Sequence, residues 1–320
     1  MIETKVDNWT YRVTDDKDLE VVPPKDCRKA VPKTLFKYYS LSDYSMQVLE
    51  NLEIFASHPK ILNDPFDTHD SLIAFDDKDA IRTLFGSTLD EPEIKQAFEN
   101  DIESLKGFAQ YNFRTLLYGK LGIYSMTEKP TNLLMWSYYT GHKGFCIEFD
   151  HTKFPFKFHG PFQINYSRDF APLSIKNGGH ICMLYQSILK AKDWEHEQEW
   201  RILPEREGAK PMELRELDAL KDLPDVTNRN FSITKNSIVK IIIGHQFFDS
   251  DNEFTHFEEG LKVNLKSNVD FKNRFLNVVD KLNIPMEIIF RNEPHFGFRT
   301  EPILIERVNR KLLIIKKNVT

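Results

Sequence analysis

The chain has 320 residues, of which 41% are hydrophobic and 28% are charged, and this balance excludes disorder as a description of the whole chain. Its 43 basic and 48 acidic side chains give a net charge of −5, which disfavours binding to duplex DNA through many phosphate contacts. Phenylalanine (25 residues) outnumbers glycine (13 residues), so we expect a large aromatic core or an aromatic-lined pocket rather than glycine-rich phosphate loops.

The distribution of cysteines and apolar residues predicts a cytoplasmic protein. Cys27, Cys146 and Cys182 are odd in number and widely spaced, which fits a reducing compartment without disulfides. No apolar run approaches the ~18 residues that a membrane-spanning helix needs. The first twenty residues are polar and acidic, unlike a signal peptide. We therefore predict no membrane partner.

The first third of the chain predicts an arm, two strands and two helical regions. Residues 1–33 lack a clear hydrophobic period and contain several prolines, so we predict an extended N-terminal arm before a domain at 34–320. Short apolar runs predict strands at 35–39 and 52–56, and Ser42 is a suitable cap for a helix between them. Apolar residues recurring every three or four positions predict a helical insertion over about 77–120.

The rest of the chain mixes strands and helices. Alternating and β-branched runs predict strands at residues 121–127, 144–149, 162–166, 199–203, 238–243, 286–290 and 303–308. Helical periodicity predicts helices at residues 132–139, 180–192, 212–223, 254–263 and 268–282. Because strands and helices do not alternate regularly, we predict an α+β fold: a single domain with a mixed, split β-sheet and a helical insertion.

Four short motifs follow one another along the chain. They are K-Y at residues 37–38, N-D-P-F at 63–66, M-W-S-x-Y with G-x-C-I-E-F at 135–149, and W-x-x-E-x-E-W-R at 194–201. Together they resemble a widespread bacterial family of unknown function, over roughly residues 35–243. Members of that family often carry arginine where this chain has Tyr39.

Glu197 and Glu199 form the most suggestive pair of ionisable residues. In a strand, an E-x-E pair puts both carboxylates on one face, roughly 7 Å apart. Carboxylates this close raise each other's pKa, which suits acid–base catalysis or the stabilisation of a developing cation. The alternative is that both glutamates pair with Arg201 and Lys192 on a solvated strand face.

The order of the motifs is similar to that in ADP-ribosyltransferases of the arginine–serine–glutamate type. These enzymes have a basic residue on an early strand, S-x-S or S-x-T on a middle strand and E-x-E on a late strand. The resemblance implies an ADP-ribosyltransferase-like fold with NAD as the substrate. It implies that Glu199 stabilises an oxocarbenium ion with help from Glu197, and that Ser125 and Thr127 bind the hydroxyls of the nicotinamide ribose.

Further nucleotide-binding residues are predicted around this trio. Lys37 or Tyr39 would take the place of the early arginine. Trp136 and Tyr139 lie in the apolar helix 132–139, which we expect to be buried, where they either form core or stack on a base. His142 lies in a glycine-framed turn and either contacts a phosphate or only closes the turn.

The N-D-P-F segment favours a turn in which Asp64 and neighbouring polar residues cap the backbone while Phe66 packs into the core. A functional alternative uses Asp64, Asp67, His69 and Asp70 as ligands of a divalent cation. With the two glutamates, that cluster would form a metal-dependent nuclease or phosphodiesterase.

The leading functional prediction is an NAD-using ADP-ribosyltransferase-like enzyme, either a bacterial toxin or a defence effector. The alternatives are the metal-dependent nuclease or phosphodiesterase and a non-enzymatic module that senses a nucleotide. The predicted partner is a nucleotide-type small molecule, and the macromolecular acceptor stays open. The Walker, GxGxxG, GxSxG and HExxH motifs are absent, which excludes the enzyme classes that depend on them. The test of the leading prediction is whether Ser125, Glu199 and residues 37–39 reach one cleft.

Overall fold

The structure, a computed structural model, describes residues 1–89, 95, 101–120, 122–205, 229–248, 253–257, 260–266 and 268–317. Within these ranges the α-helices are α1 (Asp43–Glu50), α2 (Lys78–Leu89), α3 (Ile102–Lys120), α4 (Leu133–Thr140), α5 (Gly179–Ile188) and α6 (Val269–Leu282). The strands are β1 (Ile2–Val6), β2 (Trp9–Val13), β3 (Leu19–Val22), β4 (Leu35–Tyr39), β5 (Glu53–Phe55), β6 (Ile73–Ala74), β7 (Tyr124–Thr127), β8 (Phe145–Phe149), β9 (Phe158–Gln163), β10 (Asn165–Ser167), β11 (Leu173–Ser174), β12 (Leu189–Ala191), β13 (Glu199–Pro204), β14 (Asn230–Ser232), β15 (Ile238–Ile243), β16 (Glu253–Phe257), β17 (Gly260–Asn264), β18 (Met286–Arg291), β19 (Phe298–Arg307) and β20 (Leu312–Lys317).

A large mixed sheet forms the centre of the described chain. Its strand order is β16-β17-β20-β19-β18-β15-β8-β4-β7-β13-β9. Strands β15 and β18 run parallel, whereas the other neighbouring pairs are antiparallel. The predicted α+β class with a mixed sheet is therefore confirmed. Strands β4 and β7 share one register pair, Phe36 with Thr127, so the ladder between them is short.

Alternate residues of β4 contribute to cores on opposite faces of the sheet. Leu35 joins the larger core, to which α1 and α6 also contribute buried side chains. Phe36 and Tyr38 join a smaller core with Met135 and Trp136 of α4. This alternation is the two-residue period of a strand that is covered on both faces. It leaves α4 lying against the face of β4 that also bears the candidate site.

Helix α4 is held at both ends by local contacts. The Asn132 side chain accepts hydrogen bonds from two backbone N–H groups of the first turn, and Gly141 ends the helix with a positive φ of 54°. We expected this apolar helix to be buried all round, but only one side is. Met135 and Trp136 pack inward, whereas Tyr138 is 63% exposed.

The N-terminal segment does not form the extended arm expected for residues 1–33. Residues 2–22 form a three-stranded antiparallel sheet, β1-β2-β3. Asp7 and Asn8 make a two-residue hairpin turn with φ of 47° and 67°, values that aspartate and asparagine tolerate better than most residues. Tyr11 packs edge-on against Tyr185 of α5 at 5.5 Å between ring centroids. This sheet shares a second core with α2, α3 and α5.

The prediction of a helix over 254–263 is wrong, because the antiparallel strands β16 and β17 lie in this range. Strand β17 pairs with β20, and a Cβ on Gly260 would lie 2.0 Å from the backbone oxygen of Ile315. A partner about fifty residues away therefore overrides the local helical pattern. The helix expected over 180–192 ends at Ile188, and the chain continues as strand β12.

Helices α2 and α3 lie within the expected insertion at 77–120, although residues 90–94 and 96–100 fall outside the described ranges. The expected helix at 212–223 also falls outside them. In the ranges that are described, no helix combines the length and the apolar character needed to cross a bilayer.

Candidate functional site

Glu199 of the E-x-E segment and the S-x-T segment lie on adjacent strands. Strand β13 pairs with β7 so that Glu199 faces Thr127 and Arg201 faces Ser125. Because directly paired residues in antiparallel strands project to the same side, these four side chains share one face of the sheet. Strand β4 is the next neighbour of β7. The three predicted segments therefore meet at one place.

A cavity of about 220 Å³ opens beside these strands. It is lined by Phe36, Lys37, Tyr38, Ser57, Ile61, Leu62, Asn63, Asp67, Ser125, Met126, Thr127, Met135, Tyr139, Lys190, Glu197, Glu199 and Arg201. Six predicted site residues are among these: Lys37, Ser125, Thr127, Tyr139, Glu197 and Glu199. Residues 37 and 38, Ser125 and Glu199 thus reach one cleft.

A buried ion network forms the floor of the cavity. Lys190 Nζ donates to Glu197 Oε2 at 2.5 Å and to Glu199 Oε2 at 2.8 Å. Arg201 Nε donates to Glu199 Oε1 at 2.7 Å. The guanidinium also binds both oxygens of Asp67, at 2.8 and 2.5 Å. All five side chains are at most 4% exposed. Three carboxylates therefore share two cations.

The two cations keep Glu199 ionised. Burial alone would raise its pKa, but the charges of Arg201 and Lys190 hold the pKa well below its ordinary value. Burial alone would likewise lower the pKa of Lys190, and the attraction of Glu199 and the other carboxylates raises it instead. The pKa of Arg201 is also raised, since Asp67 and Glu199 outweigh its desolvation. Glu199, Lys190 and Arg201 are thus charged at neutral pH.

Neighbouring hydroxyl groups orient Glu197. Tyr139 Oη donates to Glu197 Oε1 at 2.5 Å and accepts from Asn63 Nδ2 at 3.1 Å. Thr127 Oγ1 donates to the Glu197 backbone oxygen at 2.6 Å. Burial, followed by the charge of Glu197, raises the pKa of Tyr139, so this phenol stays protonated. These contacts hold Glu197 beside Glu199.

The backbone between the two glutamates is sharply bent. Glu197 ends a 3-10 helix over Lys192–Glu197, Gln198 adopts a left-handed conformation with φ of 46°, and β13 begins at Glu199. The expectation of two carboxylates on one strand is therefore wrong. The turn nevertheless brings both glutamates to the same lysine.

The pairing expected in the alternative interpretation is correct for Arg201 with Glu199, but Arg201 makes no such bond to Glu197, and the pairing with Lys192 is wrong. Lys192 lies 3.7 Å from Glu195, and the partner of both glutamates is Lys190. The surroundings also differ from the solvated strand face of that interpretation, because Glu197 and Glu199 are each 3% exposed.

Lys37 reaches the same cavity from β4. Its Nζ donates to the backbone oxygen of Ser125 at 2.8 Å and lies 4.9 Å from the centroid of the Tyr124 ring. Desolvation lowers the pKa of Lys37 to about 8, against the attraction of Glu199 and Glu197.

Three predicted binding residues do not line the cavity. Tyr39 packs against Phe145 with ring centroids 5.4 Å apart, on the face of β4 turned away from α4. Trp136 is 1% exposed and donates to the backbone oxygen of Pro130, so it belongs to the core. His142 lies in the turn after α4, against the ring of His245 at 5.0 Å. The alternation of side chains along β4 puts Tyr39 on the opposite face from Phe36 and Tyr38, and the turn after α4 puts His142 beside His245.

The N-D-P-F segment combines a turn with one contribution to the site. Asp64 Oδ1 accepts from the Phe66 N–H, and His69 Nδ1 accepts from the Ser71 N–H, as a capped turn requires. Phe66 is 61% exposed, so the expectation that it fills the core is wrong. The Asp67 carboxylate binds Arg201.

The metal-site alternative, which also used Asp70, gains no support from this arrangement. Arg201 occupies both oxygens of Asp67. Among the residues that the structure describes, no group of three or more histidine, cysteine, aspartate or glutamate side chains is arranged to hold a metal ion.

Sequence reasoning missed Lys190 as the central cation of the site. Its signal was a lysine in the apolar run from Ile188 to Ala191, since buried lysines require charged partners. Tyr166 was also missed: its hydroxyl accepts from the Glu199 N–H at 2.8 Å.

Comparison with known proteins gives one partial match. No curated protein and no solved structure gives a significant match to the chain. A family model matches one segment of the chain, and this segment contains Tyr139 and four residues of the ion network, Lys190, Glu197, Glu199 and Arg201; Asp67 lies outside it. The segment, residues 135–202, is a minority of the chain, and the model that it matches is described as protein of unknown function (DUF2971).

Proposed function

We propose that the protein binds NAD at this cavity and breaks the bond between nicotinamide and ribose, passing ADP-ribose to an acceptor or to water. The observation that carries the proposal is the adjacency of β4, β7 and β13. It brings Lys37, Ser125 and Glu199 to one cavity. These residues follow one another along the chain in the order of the basic residue, the serine and the glutamate of the ADP-ribosyltransferases that the chain resembles.

The cavity suits one end of a dinucleotide. Its volume of about 220 Å³ lies below the ~300–1,000 Å³ of clefts that bury a drug-sized ligand. We therefore assign only the nicotinamide and its ribose to the cavity, with the rest of NAD outside. The Ser125 hydroxyl makes no hydrogen bond within the described residues and suits a ribose hydroxyl. The Thr127 hydroxyl already positions Glu197, so it supports the site and does not bind the ligand directly.

The charge of the network suits the chemistry. When the bond breaks, its electron pair leaves with nicotinamide and the ribose carbon becomes an oxocarbenium ion. The acceptor's lone pair then forms the new bond, and the acceptor loses its proton. Three carboxylates and two cations leave a net charge of about −1 next to the developing cation. Because Glu199 stays ionised at neutral pH, it supplies this negative charge without a prior proton transfer.

Release of nicotinamide from NAD tests the proposal directly. We expect release by the wild-type protein and a loss of about 100-fold or more in Glu199→Gln, which keeps the shape and removes the charge. Ser125→Ala, which leaves the ion network intact, should lower activity less. Arg310→Met, which lies outside the cavity, is the control. No release by the wild type, or unchanged release in Glu199→Gln, refutes the proposal.

A second candidate function, NAD binding without turnover, is favoured by one observation. Every carboxylate oxygen of Glu197 and Glu199 already accepts a hydrogen bond from Tyr139, Lys190 or Arg201. Saturable NAD binding in calorimetry without nicotinamide release identifies this case. If turnover occurs, growth arrest on expression of wild type but not Glu199→Gln in bacteria would support a role as a toxin or defence effector.

A further inference from the structure

Lys37 occupies an unusual place for a lysine. It lies beside the short ladder between β4 and β7, where its Nζ donates to the Ser125 backbone oxygen at 2.8 Å. The ring of Tyr124 covers it on one side, at 4.9 Å from the ring centroid. Lys37 is one of the residues that line the cavity, together with Ser125 and Glu199. Neither of its two contacts neutralises the ammonium charge.

The second lysine of the cavity differs in this respect. Lys190 donates to Glu197 and to Glu199 at 2.5 and 2.8 Å. Within the described ranges, Lys37 has no carboxylate at salt-bridge distance; Glu199 and Glu197 attract it from further away, and Lys190 and Arg201 repel it.

These surroundings favour the free amine of Lys37. Desolvation lowers the pKa of Lys37 to about 8. At pH 7.5 about a quarter of such an amine is unprotonated, against about one part in a thousand for an ordinary lysine. The unprotonated amine is the nucleophilic form of a lysine side chain.

We propose that Lys37 is a site of covalent capture, at which the amine forms an imine with the aldehyde of a sugar ligand. The amine nitrogen attacks the aldehyde carbon, and two protons and the carbonyl oxygen leave as water as the C=N bond forms. No oxidant or reductant is needed. The identity of the sugar rests on the proposed function, because hydrolysis of NAD yields ADP-ribose, whose ribose ring opens to an aldehyde.

Reductive trapping with ADP-ribose supplied directly tests this inference. The full-length protein is incubated with ADP-ribose and cyanoborohydride at pH 7.5, digested, and mapped by mass spectrometry. We expect the reduced adduct at Lys37 to exceed that at any other lysine by at least tenfold. Lys190, on the same cavity, should remain unmodified. Adducts spread over exposed lysines, or greater on Lys190, overturn the inference.

A variant and a second sugar sharpen the result. Lys37→Arg keeps the charge but cannot form the imine, so the adduct at this position should disappear while thermal unfolding shows a folded protein. The wild-type comparison among lysines stands even if that variant does not fold. Equal trapping of free ribose and ADP-ribose at Lys37 would contradict a nucleotide-sugar ligand and so overturn the assigned ligand class.

The test does not depend on NAD cleavage. An adduct at Lys37 in a protein that releases no nicotinamide refutes the proposed function and retains the amine site. Nicotinamide release without preferential adduct formation at Lys37 overturns the amine site and retains the proposed function.

Discussion

The protein places the same types of charged side chain in two very different settings. At the cavity, Arg201 and Asp67 are each 1% exposed and bound by two hydrogen bonds. In an open cleft between α6 and the turn from β19 to β20, Arg310 is 74% exposed and its partner Asp270 81%. The open cleft, at about 460 Å³, has the larger volume. The charged side chains are therefore buried in the smaller region and exposed in the larger one.

The difference is energetic. Removing one partner from a buried pair leaves an uncompensated charge away from water, which costs about 3–5 kcal/mol. An exposed pair is solvated in any case, and its loss costs about 0–1 kcal/mol. A buried network also holds its charged groups in fixed positions, and the stabilisation of a transient cation requires such fixed groups. The following variants break or sharpen this comparison.

The largest effect is expected for Arg201→Met. It leaves Asp67 without its two hydrogen bonds and Glu199 with one cation fewer. We expect a loss of about 3–5 kcal/mol in the free energy of unfolding, measured by urea denaturation. Adding Glu199→Gln, which removes one of the stranded charges, should recover part of it. A loss below about 1 kcal/mol would show that the network resembles the exposed pairs.

The next effect concerns Lys37 and depends on pH. Its pKa is about 8 in the folded protein against an ordinary value of 10.5, so between these values the unfolded chain binds more protons and wild-type stability rises with pH. In Lys37→Met this contribution is absent. We expect the wild type to gain about 3 kcal/mol relative to the variant between pH 8 and 10.5, in urea denaturation at several pH values. A difference independent of pH would contradict the lowered pKa.

A smaller effect is expected for Tyr139→Phe. This change removes the hydrogen bond to the Glu197 carboxylate and keeps the ring. Hydrogen bonds to charged groups contribute about 1.5–3 kcal/mol, so we expect a loss of about 2 kcal/mol in urea denaturation. Tyr138→Phe, one residue earlier and 63% exposed, is the matched control and should change stability little.

The smallest effect is expected for Arg310→Met in the open cleft. We expect at most about 1 kcal/mol, and less in 1 M salt, where exposed charges are screened. Thermal unfolding at low and high salt measures it. A loss as large as that of Arg201→Met would remove the distinction between the two regions.

Local patterns predicted the strands and helices that carry the site. Glu199 and the S-x-T segment lie on adjacent strands, Ser42 caps a helix as expected, and the helix predicted at 132–139 forms. Failures occurred where a distant partner decides the local structure. The 254–263 segment pairs with β20, and the N-terminal strands pack on α5. The Asp7–Asn8 pair is a local sequence signal of a hairpin turn, and the prediction of an extended arm did not use it.

By itself the sequence determined the fold class, most of the strands and the two glutamates, because side-chain period, capping and turn chemistry act over a few residues. Only the tertiary structure decided which cations neutralise those glutamates and which aromatic rings reach the cavity. Asp67 and Arg201 are 134 residues apart in the chain and meet through the packing of the sheet. Lys190 and Lys192 are two residues apart, but Lys190 belongs to β12 and Lys192 begins the 3-10 helix that follows, so Lys190 joins the network whereas Lys192 is 46% exposed.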